Sequence, residues 1–250
     1  RIGQWEDALH YYELQEKNFP LILMDNKEFY LKLKNKQAEC LMKMGKFEDA
    51  LRICTKALKI DPNNFQITVR TAQCYNFLND NENAIVYLLK ALEMNNNHRY
   101  NEYENLFGTI GDIFSEISQD QNPKEKEESI SNAILAYKKS IIFLNLSDNA
   151  DNKDFEDLQY TNAMNLLKIG RSYMLIGKYI DALINLQIAN YINTDMPTLQ
   201  LTLSICYYYL DFVKESLMHF ELIPADELKE FKTLIPDLVE IEKLYKERNK

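Results

Sequence analysis

LKLKNKQAECLMKMGKFEDALRICTKALKIDPNN, residues Leu31–Asn64, is followed without a gap by FQITVRTAQCYNFLNDNENAIVYLLKALEMNNNH, residues Phe65–His98. The two 34-residue blocks keep small and large side chains at fixed offsets. Ala38, Leu41, Gly45, Phe47, Ala50, Cys54 and Ala57 stand in the first block, and Ala72, Tyr75, Asn79, Ala84, Leu88 and Ala91 in the same places of the second. Self-similarity at such a period means one supersecondary unit per block. Apolar residues recur at helical spacing, and no two-residue alternation competes with it. Two antiparallel helices approach closely only where small side chains face each other and larger ones fill the adjacent grooves, so the alanines mark a line of contact. Gly45 ends the first helix with a residue that accepts a left-handed conformation. Pro62 stops the second, since proline has no amide donor and disfavours a helical residue before it. Each block therefore reads as one helical hairpin.

A third copy in the same register runs from Ala163 to Met196, with Leu166, Ile169, Gly170, Tyr173, Gly177, Tyr179, Ala182, Leu186 and Ala189 at matching offsets. This small, aromatic, small, aromatic, small, proline order resembles the tetratricopeptide repeat. The resemblance implies an all-α, right-handed superhelix of helical hairpins, whose concave face is lined mainly by the first helix of each hairpin and holds protein partners. Weaker copies extend it over residues 1–250 as one solenoid. Residues 1–20 read as a second helix alone, with Gly3, Trp5, Ala8, Tyr12 and Pro20 in place. Residues 104–146 form a copy whose halves are separated by about ten extra residues around Ser118–Glu128, expected to widen the loop inside the hairpin. Residues 197–223 form a last copy in which Asp211 replaces the turn glycine. Leu228, Phe231, Leu234 and Ile235, then Leu238, Ile241, Leu244 and Tyr245, give two amphipathic helices over 225–250 broken at Pro236. These read as the cap that a solenoid needs over its terminal hairpin. Two further insertions remain. Leu23–Tyr30 is expected to lengthen the helix that follows, with Asp25 and Glu28 spaced as a capping box. The acidic segment Ser147–Asn162 is expected as a solvated loop or a short helical approach. The chain opens with Arg1 inside a repeat, from which a longer polypeptide is expected.

Composition narrows the function. Six glycines and six prolines in 250 residues are too few for a hairpin-rich β protein. A formal charge of -9 without a basic patch disfavours nucleic acid as the main partner. No apolar run approaches the ~20 residues that span a bilayer, so no membrane insertion is expected. Cys40, Cys54, Cys74 and Cys206 form no C-x-x-C pair. Cys40, Cys74 and Cys206 share one packed place in their repeats, which is a structural role rather than a metal or disulfide framework. A reducing, intracellular setting, cytoplasmic or nuclear, follows as an expectation. His10, His98 and His219 lie far apart, and no phosphate-binding glycine loop or nucleophile motif occurs, so neither catalysis nor a cofactor nor a metal is expected.

The inner face changes character along the chain. Lys32, Asn35, Glu39, Lys43, Gln66, Val69, Gln73, Asn76, Phe77, Asn105, Asp112 and Glu116 are polar as a set, whereas Leu167, Met174, Leu201, Ile205, Tyr208 and Tyr209 form an apolar stripe interrupted by Arg171. These seven residues of the later repeats are the candidate partner-binding set. Their stripe is either a groove for an amphipathic helix of a partner or a surface covered by the chain's own cap. The two-carboxylate clamp with which some relatives hold acidic chaperone tails is absent, because Asn35 and Glu39 stand where its lysine and asparagine belong and Arg70 lacks companions. The reading is a protein-interaction scaffold, a subunit of a larger assembly. The alternative is a helical-repeat segment of a large multidomain enzyme, since Trp5–Leu9 also resembles repeats that wrap lipid-kinase-related kinase domains.

Overall fold

The computed structural model describes residues 2–18, 26–94, 100–147, 155–235 and 237–248. They form helices and turns, with no strand among the described residues. The chain divides into two compact units, Arg1–Arg99 and Tyr100–Lys250. The first holds α1 (Ile2–Asn18), α2 (Lys27–Lys43), α3 (Phe47–Ile60), α4 (Phe65–Phe77) and α5 (Asn81–Glu93). The second holds α6 (Tyr100–Ile117), α7 (Pro123–Ser147), α8 (Phe155–Leu175), α9 (Tyr179–Ile192), α10 (Pro197–Tyr209), α11 (Val213–Glu221), α12 (Ala225–Leu234) and α13 (Asp237–Arg248). Within each unit consecutive helices pack on one another, except that α11 packs on α13 rather than on α12.

Four hairpins turn in the same way. Gly45, Asn79, Gly177 and Asp211 take φ of 74°, 58°, 72° and 62°. In each turn the following amide reaches back across the helix end: Lys46 N donates to Leu41 O, Asp80 N to Tyr75 O, Lys178 N to Tyr173 O and Phe212 N to Tyr207 O, at 2.9, 2.9, 2.9 and 3.0 Å. One left-handed residue thus satisfies carbonyls that the helix leaves open and sets the chain antiparallel. Asparagine and aspartate adopt that conformation at a higher cost than glycine, so the place is legible in sequence even where the glycine is missing.

The small residues sit where the helices meet. Ala38, Ala50 and Ala57 in the first unit, and Ala163, Ala182 and Ala189 in the second, are completely buried. A Cβ on Gly170 would lie 2.6 Å from Leu186 Cγ, and one on Gly111 within 2.5 Å of the Tyr137 ring. Leu31, Leu41, Cys54, Ile67 and Cys74 complete the first unit's core, against which α1 lays Leu9.

Two expectations are corrected. Ser118–Glu128 is not a wide loop: a single 3₁₀ turn, Ser118–Asp120, leads to Pro123, where α7 begins. The extra residues lengthen the second helix of that hairpin. Asn122 caps it, its side chain accepting from Lys124 N and Glu125 N at 3.2 Å, and Pro123 needs no donor there. Asn26 rather than Asp25 caps α2, accepting from Phe29 N at 2.9 Å. Asp25 lies outside the described residues, as do Pro20, Leu23, His98, Asp148, Asp151, Asp154 and Pro236. In the acidic insertion α8 starts at Phe155, so its latter half is helical.

Candidate protein-binding groove

Helices α6, α8, α10 and α12 of the second unit line a groove of about 680 Å³. Its two sides differ in chemistry. On the polar side Asp112 accepts from the Tyr137 hydroxyl at 2.8 Å and from Lys168 Nζ at 2.9 Å. The Lys168 ammonium also lies 5.5 Å from the centre of the Tyr137 ring. Burial, with Asp112 beside it, pushes the Tyr137 phenol well above its usual range. The hydroxyl therefore stays protonated and serves as a fixed donor. Arg171, exposed on the same wall, has no ion-pair partner among the described residues. On the apolar side stand Met174, Leu175, Leu201, Ile205, Phe231 and Ile235.

Of the seven candidate residues, Arg171, Met174, Leu201 and Ile205 come together at this groove. Leu201 and Ile205 are only 5% and 7% exposed, because Leu238 and Ile241 of α13 pack against them together with Leu217, Phe220 and Ile223. Much of the apolar stripe is thus covered by the chain's own terminal helices, and Met174 bridges that cluster and the hairpin core. The other three lie elsewhere. Leu167, 2% exposed, belongs to the core with Ala182 and Leu186. Tyr208 packs on the cap cluster, edge-on to Tyr209 with ring centres 5.8 Å apart. Tyr209 stacks on Tyr179 at 4.8 Å and 14°. Lys168 and Tyr137 were missed by sequence reasoning. Lys168 stands one helical turn before Arg171, a signal that was available. Tyr137 comes from a second helix and only the fold brings it in.

The first unit's inner face is occupied by its own side chains. Arg70 Nε donates to Asn35 Oδ1 at 2.7 Å, its Nη2 lies 3.8 Å from Glu39 Oε2, and Lys36 Nζ reaches the same carboxylate at 3.0 Å. A guanidinium so engaged is not available to a ligand carboxylate. Between α1 and α2, Lys34 Nζ donates to both oxygens of Glu16 at 2.7 and 2.6 Å and to Gln37 Oε1 at 3.0 Å, while Gln37 Nε2 donates to Glu16 Oε2 at 3.0 Å.

All four cysteines are buried and free, and burial pushes the Cys206 thiol up to about 11. His219 Nδ1 is 2.7 Å from Gln200 Oε1, and burial holds the imidazole below its usual range. Among the described residues no three of His, Cys, Asp and Glu converge as metal ligands, and no helix is long and apolar enough to cross a membrane.

The family model of the tetratricopeptide repeat matches residues 41–105, a span that holds the turns at Gly45 and Asn79. Those residues carry tetratricopeptide repeats. Solved structures resemble this chain in fold over most of its length. BtubC from P. vanneervenii superposes with a TM-score of 0.62 at 12% identity, over 94% of this chain and 90% of that one. MamA from Desulfovibrio magneticus RS-1, residue 41 to its end, gives 0.59 at 14%, over 85% and 95%. YrrB, a tetratricopeptide protein with an unusual peptide-binding site, gives 0.54 at 15%, over 86% and 91%. At these identities the likeness is one of fold. Repeats of this family serve in general as surfaces through which proteins bind one another.

Proposed function

We infer that the chain is a scaffold subunit that holds a short amphipathic helix of a partner protein in the groove of its second unit. The observation that carries this is the pairing of an apolar wall, where Leu175 is exposed and Phe231 and Ile235 half-buried, with an Arg171 that has no ion-pair partner among the described residues. Such a wall takes apolar anchors at i, i+3 and i+4 of a helix, and a carboxylate on that helix would satisfy Arg171 by a charge-assisted pair. Met174, unbranched and adaptable, lets the wall fit anchors of different shape. The peptide-binding site of YrrB, on the same kind of fold, supports the assignment of peptide recognition.

The test is capture of partners on the full chain, followed by anisotropy titration with a labelled peptide from the captured protein. Arg171→Glu and Leu175→Asp, both at exposed positions, are expected to weaken binding at least tenfold while leaving the melting midpoint unchanged. Lys56→Glu on α3 serves as the control. Binding undiminished in both groove variants would place the partner surface elsewhere and overturn the reading.

A further inference from the structure

The four helices that line the groove are not equally anchored. Helices α6, α8 and α10 belong to hairpins and bury Ile113, Ile169 and Leu203 almost completely. Helix α12 belongs to no hairpin, and α11 before it packs on α13 instead. It rests on the solenoid through Leu228, Phe231 and Ile235, the residue that ends it, all three only half-buried. Among its described side chains none is fully buried, and Asp226, Lys229 and Glu230 are exposed. A helix of ten residues does not persist alone in water, where about 12–15 are marginal even for good helix formers. No side chain caps it at Pro224 either. Its place over the groove therefore depends on those three contacts.

Both ends of α12 are breaks in the helical path. Pro224 before it and Ile235 after it have extended backbone, with ψ of 140° and 99°. Just beyond these breaks the chain is pinned again. Ile223 is buried and Leu238 completely so, and both belong to one cluster with Phe220 and Ile241. The segment between them is thus a loop whose two roots are held together. Lifting its helix leaves α13 seated.

We propose that α12 is a lid over the groove, which lifts about its two roots to admit the partner's helix and closes on it with Phe231 and Ile235. The proposal rests on the groove being the partner site. Elements that move on binding are drawn from the least buried parts of a fold, and α12 is such a part, whereas α13, with Leu238 and Ile241 fully covered, is not. The anchors of a bound helix would complete the burial of Phe231 and Ile235, so ligand and lid hold each other. The opposite side of the groove is fixed, since Asp112, Tyr137 and Lys168 are tied to one another. The groove accordingly discriminates by charge on its rigid side and accommodates apolar anchors of different size on its movable one.

Hydrogen exchange of the full chain, read by mass spectrometry, tests this. In the free protein the amides of residues 228–234 are expected to exchange at least tenfold faster than those of residues 241–246. Low urea should barely change the first rate and should steepen the second, because lifting a lid exposes little surface and unfolding the unit exposes much. One common rate with one common urea dependence overturns the proposal. With the labelled peptide from the captured partner bound, the α12 amides should slow at least tenfold. Phe231→Ala should speed them in the free chain and hasten peptide dissociation at least fivefold. If the peptide binds and Arg171→Glu weakens it, yet the α12 amides exchange as in the free chain, the lid is overturned and the groove stands. Binding undiminished in both Arg171→Glu and Leu175→Asp removes groove and lid together.

Discussion

Helices α3 and α9 occupy the same place in their hairpins, and their inward sides agree while their outward sides do not. Ala50, Cys54 and Ala57 of α3 correspond to Ala182, Leu186 and Ala189 of α9, all buried against a first helix. Outward, charged residues of the one become isoleucines and a tyrosine in the other. The inner faces of the two units diverge likewise. In the first, Asn35, Glu39 and Arg70 satisfy one another, whereas in the second an apolar wall is partly covered by α12 and α13. Close approach dictates side-chain size on the packed side and leaves the other sides free, so function is to be sought where equivalent positions differ.

Measurements can break or sharpen this contrast. The largest effect is expected at the cap. Ile241→Ala, at a fully buried position, should cost about 2–5 kcal/mol, while the same truncation of exposed Ile184 should stay within about 0.5 kcal/mol. Chemical denaturation of both variants checks it, and equal losses would mean that α13 does not hold the second unit together. Next come the packed alanines, where the two hairpins should behave alike. Ala50→Leu and Ala182→Leu are each expected to lose about 1–3 kcal/mol through overpacking, and a lowered melting midpoint in only one of them would break the equivalence.

A smaller effect of opposite sign is expected at the turns. Asp211→Gly should stabilise by about 1 kcal/mol, because glycine takes a positive φ without the steric cost of a Cβ. Gly177→Asp should lose a similar amount, and calorimetry of the pair reads both. The smallest effect concerns acid. Burial alone would raise the Glu16 carboxyl, but hydrogen bonds from Lys34 and Gln37 hold it below its usual range. A depressed folded value means that the stabilisation is complete above the unfolded value of about 4.3 and fades as pH falls through the folded one. Trp5, the single tryptophan and a residue of α1, should report the loosening as a fluorescence change in that acid window. Glu16→Gln should remove this pH dependence, and a transition that persists in the variant would show that another group holds α1 in place.

How far the sequence could be read follows from the range of each interaction. The registers of the hairpins and the left-handed places at Gly45, Asn79, Gly177 and Asp211 rest on residues a few positions apart, and they were legible. The loop at Ser118–Glu128 was misread because a polar, charged run suits a solvated helix as well as a loop. Only the proline and its asparagine cap, read together, distinguish them.

The groove was half legible. Arg171, Met174, Leu201 and Ile205 share the inner side of helices whose register was known. Leu167 was misplaced by about one position around its helix, which is enough to turn a side chain from groove to core.

Sequence alone determined the repeating hairpin, since residue size at fixed spacing decides where two helices can touch. Tertiary structure decided which apolar surface meets water. Leu201 and Ile205 are covered because α13 folds back on them, and Ile184 and Tyr191 are bare because nothing within the second unit reaches them. Exposure is set by residues distant in the chain, and hydrophobicity read along a helix does not reveal whether a neighbour will arrive to bury it.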